Sequence, residues 1–214
     1  MLPAAAQEAL AKLEEDCRSA IYEAAKDFFN RGGAEQYLYD FLVIAVLNRS
    51  MCLIRGFCDL LRSENFAVAA SLVRLHMDSA LRFSARRFTD DLDSLGSKVL
   101  GGESIRDQKT RDGQRMSDKY LLTQLAAGYP WMEDVYRETS GFVHLSSKHI
   151  FQAMKATDKK TGAVDLKVSD RDAFVPEWAY LEAIEFFSKL THVIVGEVRH
   201  YTDEKIARCS SEGN

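Results

Sequence analysis

Proline is nearly absent from this chain, and that scarcity constrains its fold more than any other feature. Pro3, Pro130 and Pro176 are the only three prolines in 214 residues. Proline lacks the amide hydrogen that a helix needs and clashes with the preceding turn, so its absence leaves long stretches free to run as helix. The apolar pattern uses that freedom. Between Ala4 and Phe29, the residues Leu10, Leu13, Cys17, Ala20, Ile21, Ala24 and Phe28 recur at three- and four-residue steps, the spacing of one helical face. Asn30-Arg31-Gly32-Gly33 ends this helix, with glycine expected in the left-handed conformation of a C-cap.

The same spacing predicts a second helix from about Glu35 to Arg62, apolar on most sides as far as Asn48 and placed at the centre of the fold. Ser63 is the expected N-cap of a third, Glu64 to about Phe88. So short a connection makes the two antiparallel neighbours. Further helices are expected over Ser117 to Ala127 and Trp131 to His144, separated by the break Gly128-Tyr129-Pro130. A last helix runs from Pro176 to about Arg208 and turns Trp178, Leu181, Ile184, Phe187, Leu190, Ile194 and Val198 inward.

Two stretches break the helical rhythm. Thr89 to Tyr120 holds Gly96, Gly101, Gly102 and Gly113 among charges of both signs. It reads as a solvated loop with short helices, or as a loop whose basic residues grip a phosphate-bearing substrate. Ile150 to Val168 contains the alternation Ala163-Val164-Asp165-Leu166-Lys167-Val168 after Gly162, which predicts a β-hairpin. A helix continuing through Ala156 is the rival for its first arm. An isolated hairpin is marginally stable, so it must pack on the helices or pair with a partner. The expected fold is mainly α: an antiparallel helical bundle in one domain, residues 1–214, with one hairpin near 150–168 and a frayed tail from 209.

Composition excludes some functions and leaves others open. Apolar residues make up 46% of the chain, enough for a sizeable core. A net charge of −4 argues against a protein that coats nucleic acid regardless of sequence, although a local basic patch could still meet RNA. Cys17, Cys52, Cys58 and Cys209 form no C-x-x-C pair and have no histidine at zinc spacing. Cys52 and Cys58 are expected as buried thiols, and a reducing, cytoplasmic setting fits. The alanine-rich start reads as helix rather than as a signal peptide. The most apolar run, Phe41 to Leu47, is too short to span a bilayer, for which roughly 20 residues are needed. No membrane association, metal or cofactor is expected.

The residues with the clearest chemical content lie together in Tyr136-Arg137-Glu138-Thr139-Ser140-Gly141-Phe142-Val143-His144. Arg137 and His144 are seven positions apart, close to two helical turns, and so share one side. Ser140 lies between them, with Tyr136 one turn earlier. A guanidinium suits holding a phosphate and its growing charge. An imidazole suits moving the proton of an attacking or leaving hydroxyl. On the helix before, Arg74 and Asp78 flank His76. They are spaced for an i,i+4 ion pair, or Asp78 could orient His144 or Arg137 across the helix interface. A structural reading of the motif also stands: His144 meeting the dipole at a helix C-terminus, and Arg137 paired with a neighbouring acid.

An arginine followed within a few residues by a histidine at a helix end resembles the HEPN superfamily. The Tyr-x-x-x-Ser-x-x-x-His form, preceded by Arg74-Leu75-His76-Met77-Asp78, resembles an uncharacterised bacterial all-helical family often grouped with it. The resemblance spans about Phe41 to His144 and, in outline, the final helix. Glu138 stands where such ribonucleases commonly carry Asn, Asp or His after the arginine. The resemblance implies a metal-independent endoribonuclease of toxin–antitoxin or phage-defence type. Arg137, His144 and Ser140 would be catalytic, and Tyr136, Arg74 and Asp78 would bind or orient the substrate. It further implies a homodimer with a composite site, RNA as substrate and an antitoxin or other protein as partner. The alternative is a non-catalytic helical module that binds a partner protein or nucleotide.

Overall fold

The computed structural model describes residues 1–32, 36–158 and 162–212. Its elements are α1 (Ala4–Arg31), α2 (Asp40–Arg62), α3 (Phe66–Ser84), α4 (Leu92–Leu100), α5 (Asp118–Ala126), α6 (Trp131–Val143), α7 (Ser147–Ala153), β1 (Met154–Asp158), β2 (Ala163–Leu166) and α8 (Glu177–Glu212). The chain is mainly helical with one small antiparallel hairpin, the expected class.

Leu10, Leu13, Cys17, Ile21, Ala24 and Phe28 are buried along α1, and full burial of a Leu, Ile or Phe side chain stabilises by about 1.5–3 kcal/mol. They face α8, the helix that α1 packs against most extensively. Matching contacts set the direction. Cys17 lies 3.7 Å from Ser188, the Phe28 and Tyr201 rings lie 6.4 Å apart, and Arg31 pairs with Asp203 at 3.0 Å. Residue numbers rise together, so α1 and α8 are parallel. The same holds for α3 and α8, through Phe66 on Tyr180 at 5.1 Å and His76 on Thr191 at 2.8 Å. α2 runs the other way, with Asp40 near Lys205 at its start and Arg62 near Glu14 at its end. By length and composition α2 is the one described helix that could also cross a bilayer; here Val43, Ile54, Phe57 and Leu61 are wholly buried in the bundle.

Several boundaries differ from expectation. Gly32 closes α1 at φ −66°, not in the left-handed region. Crowding is the reason for glycine, since a Cβ there would lie 2.5 Å from the Phe28 carbonyl oxygen. Gly33 and Glu35 fall outside the described residues. Ser63 closes α2 rather than opening α3, and the N-cap is Asn65, whose side chain accepts from the Val68 amide. Glu64 between them takes a left-handed φ of 59°. A distant residue completes this cap: Asp172 accepts from the Phe66 amide at 3.0 Å and from the Tyr180 hydroxyl at 2.7 Å. Cys58 is buried but Cys52 is exposed, because a six-residue step on a helix turns the second thiol away from the first. Trp178 is also exposed, although the buried residues of α8 begin directly after it at Ala179 and Tyr180.

The 89–120 stretch contains the expected short helices. It folds into α4, a 3-10 turn at Ile105–Asp107 and a bridge between Lys109 and Arg115. Arg111 is engaged by Asp90 and by the Arg87 and Thr89 carbonyls, and Arg115 by Asp107. The first arm of the hairpin segment is helical through Ala153 and extended after it. Lys155 pairs with Asp165 and Met154 with Leu166, and the turn at 159–161 lies outside the described residues.

One end of the bundle holds buried charge. Arg86 donates to Glu197 at 3.0 Å with both side chains about 1% exposed, and Arg87 and Glu204 extend the network. Lys205 donates to Asp40 at 2.7 Å, beside the Tyr201 hydroxyl at 2.8 Å. Mutual pairing makes such burial tolerable, since an isolated ion would lose several kcal/mol of hydration.

Candidate functional site

α6 lies against α3 through Met132, Val135 and Thr139, all buried. That stripe decides where the chemically active residues point. Tyr136 and Ser140 fall on its margin, half-buried, while Arg137 and His144 fall outside it, exposed. Arg137 donates to Asp134 at 2.6 Å and lies 3.8 Å from Glu138. Its pairing with a neighbouring acid is therefore present. The Ser140 hydroxyl donates to the Tyr136 carbonyl at 2.6 Å, a back-bond to its own helix that removes its proton from other use. His144 is the C-cap of α6, extended at φ −112° and ψ 144°. Among the described residues its imidazole has no hydrogen bond or ion pair, and no contact joins it to Arg137.

The two expectations for Arg74 and Asp78 both give way to a different arrangement. Residues 74, 78 and 82 share one face of α3, and both arginines find Asp118 in the first turn of α5. Arg74 donates to Asp118 at 3.2 Å and stacks its guanidinium 4.2 Å from the centre of the Tyr136 ring. Arg82 reaches both Asp118 and Asp78, the latter at 3.3 Å, and donates to the Met116 carbonyl at 3.2 Å. Asp78 is thus committed to Arg82 rather than to Arg74, His144 or Arg137. Burial works to raise the Asp118 pKa, but the Arg82 hydrogen bond and the charges of Arg82, Arg74 and Arg106 outweigh it and hold the carboxyl below its ordinary value. The structure therefore joins Arg74 to Tyr136, and Asp78 to the same seam through Arg82. It leaves Arg137, Ser140 and His144 outside that seam.

His76, between Arg74 and Asp78, belongs to the core. It is fully buried, stacked 4.4 Å from Phe187, and hydrogen-bonded through Nε2 to Thr191. Cys17, near the same threonine, has its thiol pKa pushed up by burial, which disfavours the nucleophilic thiolate. His149 accepts the Ser146 amide in the capping box of α7, and His200 pairs with Glu204 at 3.2 Å.

Sequence reasoning missed a cleft of about 270 Å³ between α2 and α3, roofed by Val99 and Ile105. Arg49 stands beside it and donates through Nε to Ser79 at 2.9 Å. The signal was available: Leu42, Ala45, Val46 and Arg49 share one helical face by spacing, and the arginine is the one polar member.

No protein-family model, curated protein or solved structure matches this chain.

Proposed function

We propose that this protein is a helical interaction module that pairs with a second copy of itself through the end built from the close of α6, α7 and the hairpin. One observation carries the reading: this end is apolar and uncovered. Leu145 is 93% exposed, Phe151 67% and Leu166 75%, and Val143, Ile150 and Val168 are exposed beside them in sequence. All four residues of β2 are exposed, and α7 is the helix against which the hairpin packs most. Two strands are marginal in water without a packed face, and an unpaired strand edge is a template for pairing with another chain. A second copy is the occupant that supplies both, because a twofold axis would set β2 against β2 and each apolar face against its equal. Sedimentation of the wild type beside Leu166→Glu/Val168→Glu tests this. A dimer that the double substitution converts to a folded monomer is the expected result. A wild-type monomer at micromolar concentration would refute it.

A second reading is metal-independent RNA cleavage, of the toxin–antitoxin or phage-defence kind, at the seam of that dimer. The observation favouring it is His144, an exposed imidazole with no partner among the described residues, one residue from Leu145 at the uncovered end. His144 would transfer the proton, and Arg137 would hold a phosphate in competition with Asp134 and Glu138. Incubating the purified protein with RNA, beside His144→Ala, tests it. Equal cleavage by both proteins, or none by either, would leave the interaction module as the function.

A further inference from the structure

We infer that the cleft between α2 and α3 binds a small amphipathic carboxylate, its apolar body on Leu42, Val46, Phe83, Val99 and Ile105 and its head on Arg49. The cleft walls supply the first half of the reasoning. Val46 and Phe83 are buried, and Leu42, Val99 and Ile105 are half-buried around an open space of about 270 Å³. That is close to the lower end of ligand cavities, roughly 300–1,000 Å³, so the occupant is small.

Charge supplies the second half. Arg49, Arg82 and Asp78 are the charged residues lining the cleft. Arg82 is consumed by Asp78, Asp118 and the Met116 carbonyl. Arg49 has no carboxylate partner among the described residues, and its single hydrogen bond is from Nε to Ser79. Ser79 in turn donates to the Leu75 carbonyl at 3.1 Å, which fixes the hydroxyl as an acceptor for Arg49. Arg49 is an exposed residue whose guanidinium is held by Nε, and its two terminal nitrogens have no protein partner among the described residues. Those nitrogens form the fork that a carboxylate accepts through both oxygens. The lining carries one net positive charge, which a monoanion neutralises.

The probe is decanoate, titrated into the full-length protein and followed by calorimetry and by methyl chemical shifts of Val46, Val99 and Ile105. Decanol, with the same tail and no charge, is the comparator. Saturable decanoate binding is expected, with shifts confined to those methyls and at least tenfold weaker affinity for decanol. Arg49→Gln removes the charge and leaves a shorter polar side chain, and should weaken decanoate about tenfold or more while leaving decanol unchanged. Ala45→Trp fills the cleft from an exposed position on α2 and should abolish both. Melting temperatures equal to wild type show that each variant is folded. Equal affinities for decanoate and decanol, an Arg49→Gln protein that binds decanoate as wild type does, or shifts elsewhere in the molecule would overturn the assignment. Neither dimerisation nor RNA cleavage enters this experiment.

Discussion

Acid should weaken this fold through one buried histidine. The His76 ring has no exposed surface, stacks on Phe187 at 4.4 Å, and Phe187 stacks on Phe57 at the same distance. Thr191 donates its proton to the Phe187 carbonyl at 3.1 Å, so it receives the Nε2 hydrogen of His76. Nδ1 is buried without a partner. A second proton would have to sit on that nitrogen with no protein acceptor within reach. Burial first, and then the charge of Arg49, push the His76 pKa down from 6.5 to about 3. The unfolded chain takes up this proton near pH 6.5 and the folded chain does not. The histidine's contribution is therefore complete above pH 6.5 and falls as the pH drops toward 3, at about 1.4 kcal/mol per unit. Between pH 7 and pH 5 the loss is about 2 kcal/mol. Urea unfolding followed by circular dichroism at both pH values measures it. His76→Phe keeps a flat ring against Phe187 and has nothing to protonate. Carboxylates elsewhere titrate alike in both proteins, so the wild type should lose about 2 kcal/mol more than the variant over this interval. Equal losses, or an imidazole signal that His76→Phe removes and that titrates near pH 6.5 in the folded wild type, would refute the reasoning.

Glu197→Gln should cost about 3 kcal/mol in urea unfolding, because it leaves Arg86 buried with only Glu204 to answer its charge. Gly96→Ala should cost roughly 1–3 kcal/mol by the same measurement, since a Cβ on Gly96 would lie 2.8 Å from the backbone of Leu38 and Tyr39. Arg137→Ala and His144→Ala should leave the melting temperature within error of wild type, as both side chains stand in solvent. If the protein cleaves RNA, His144→Ala should lower the rate by ~10²–10⁴-fold, the usual loss for a positioned proton-transfer group, with EDTA without effect.

The longer helices were legible because each is specified by its own spacing, and burial follows that spacing closely in α1. Local rules failed where a distant residue did the work. Ser63 satisfies every requirement of an N-cap by sequence, but Asn65 and Asp172 do the capping, and Asp172 lies 106 positions from the amide it receives. Arg86 meets Glu197 across 111 positions and Asp40 meets Lys205 across 165, separations that no spacing rule can see. At the candidate site, helical geometry placed Arg137 and His144 outside the buried stripe but could not show what else competes for them. The Ser140 hydroxyl is claimed by its own helix, and Arg74 by an aspartate at the start of α5. The Arg49 cleft went unread because its roof, Val99 and Ile105, arrives from a stretch with no helical rhythm of its own.

The parallel setting of α8 against α1 and α3 bears on how the protein is born. A ribosome releases α1 long before α8, at roughly 5–20 residues per second. Until α8 leaves the exit tunnel, the stripe running from Leu10 to Phe28 lacks its most extensive cover, and His76 has no threonine to bond. Reversal of direction between α1, α2 and α3 gives the nascent chain an early hairpin-like stack, but only the closing helix can seal it. The core is therefore sealed only once α8 has emerged, and until then the nascent chain presents apolar surface of the kind that chaperones hold.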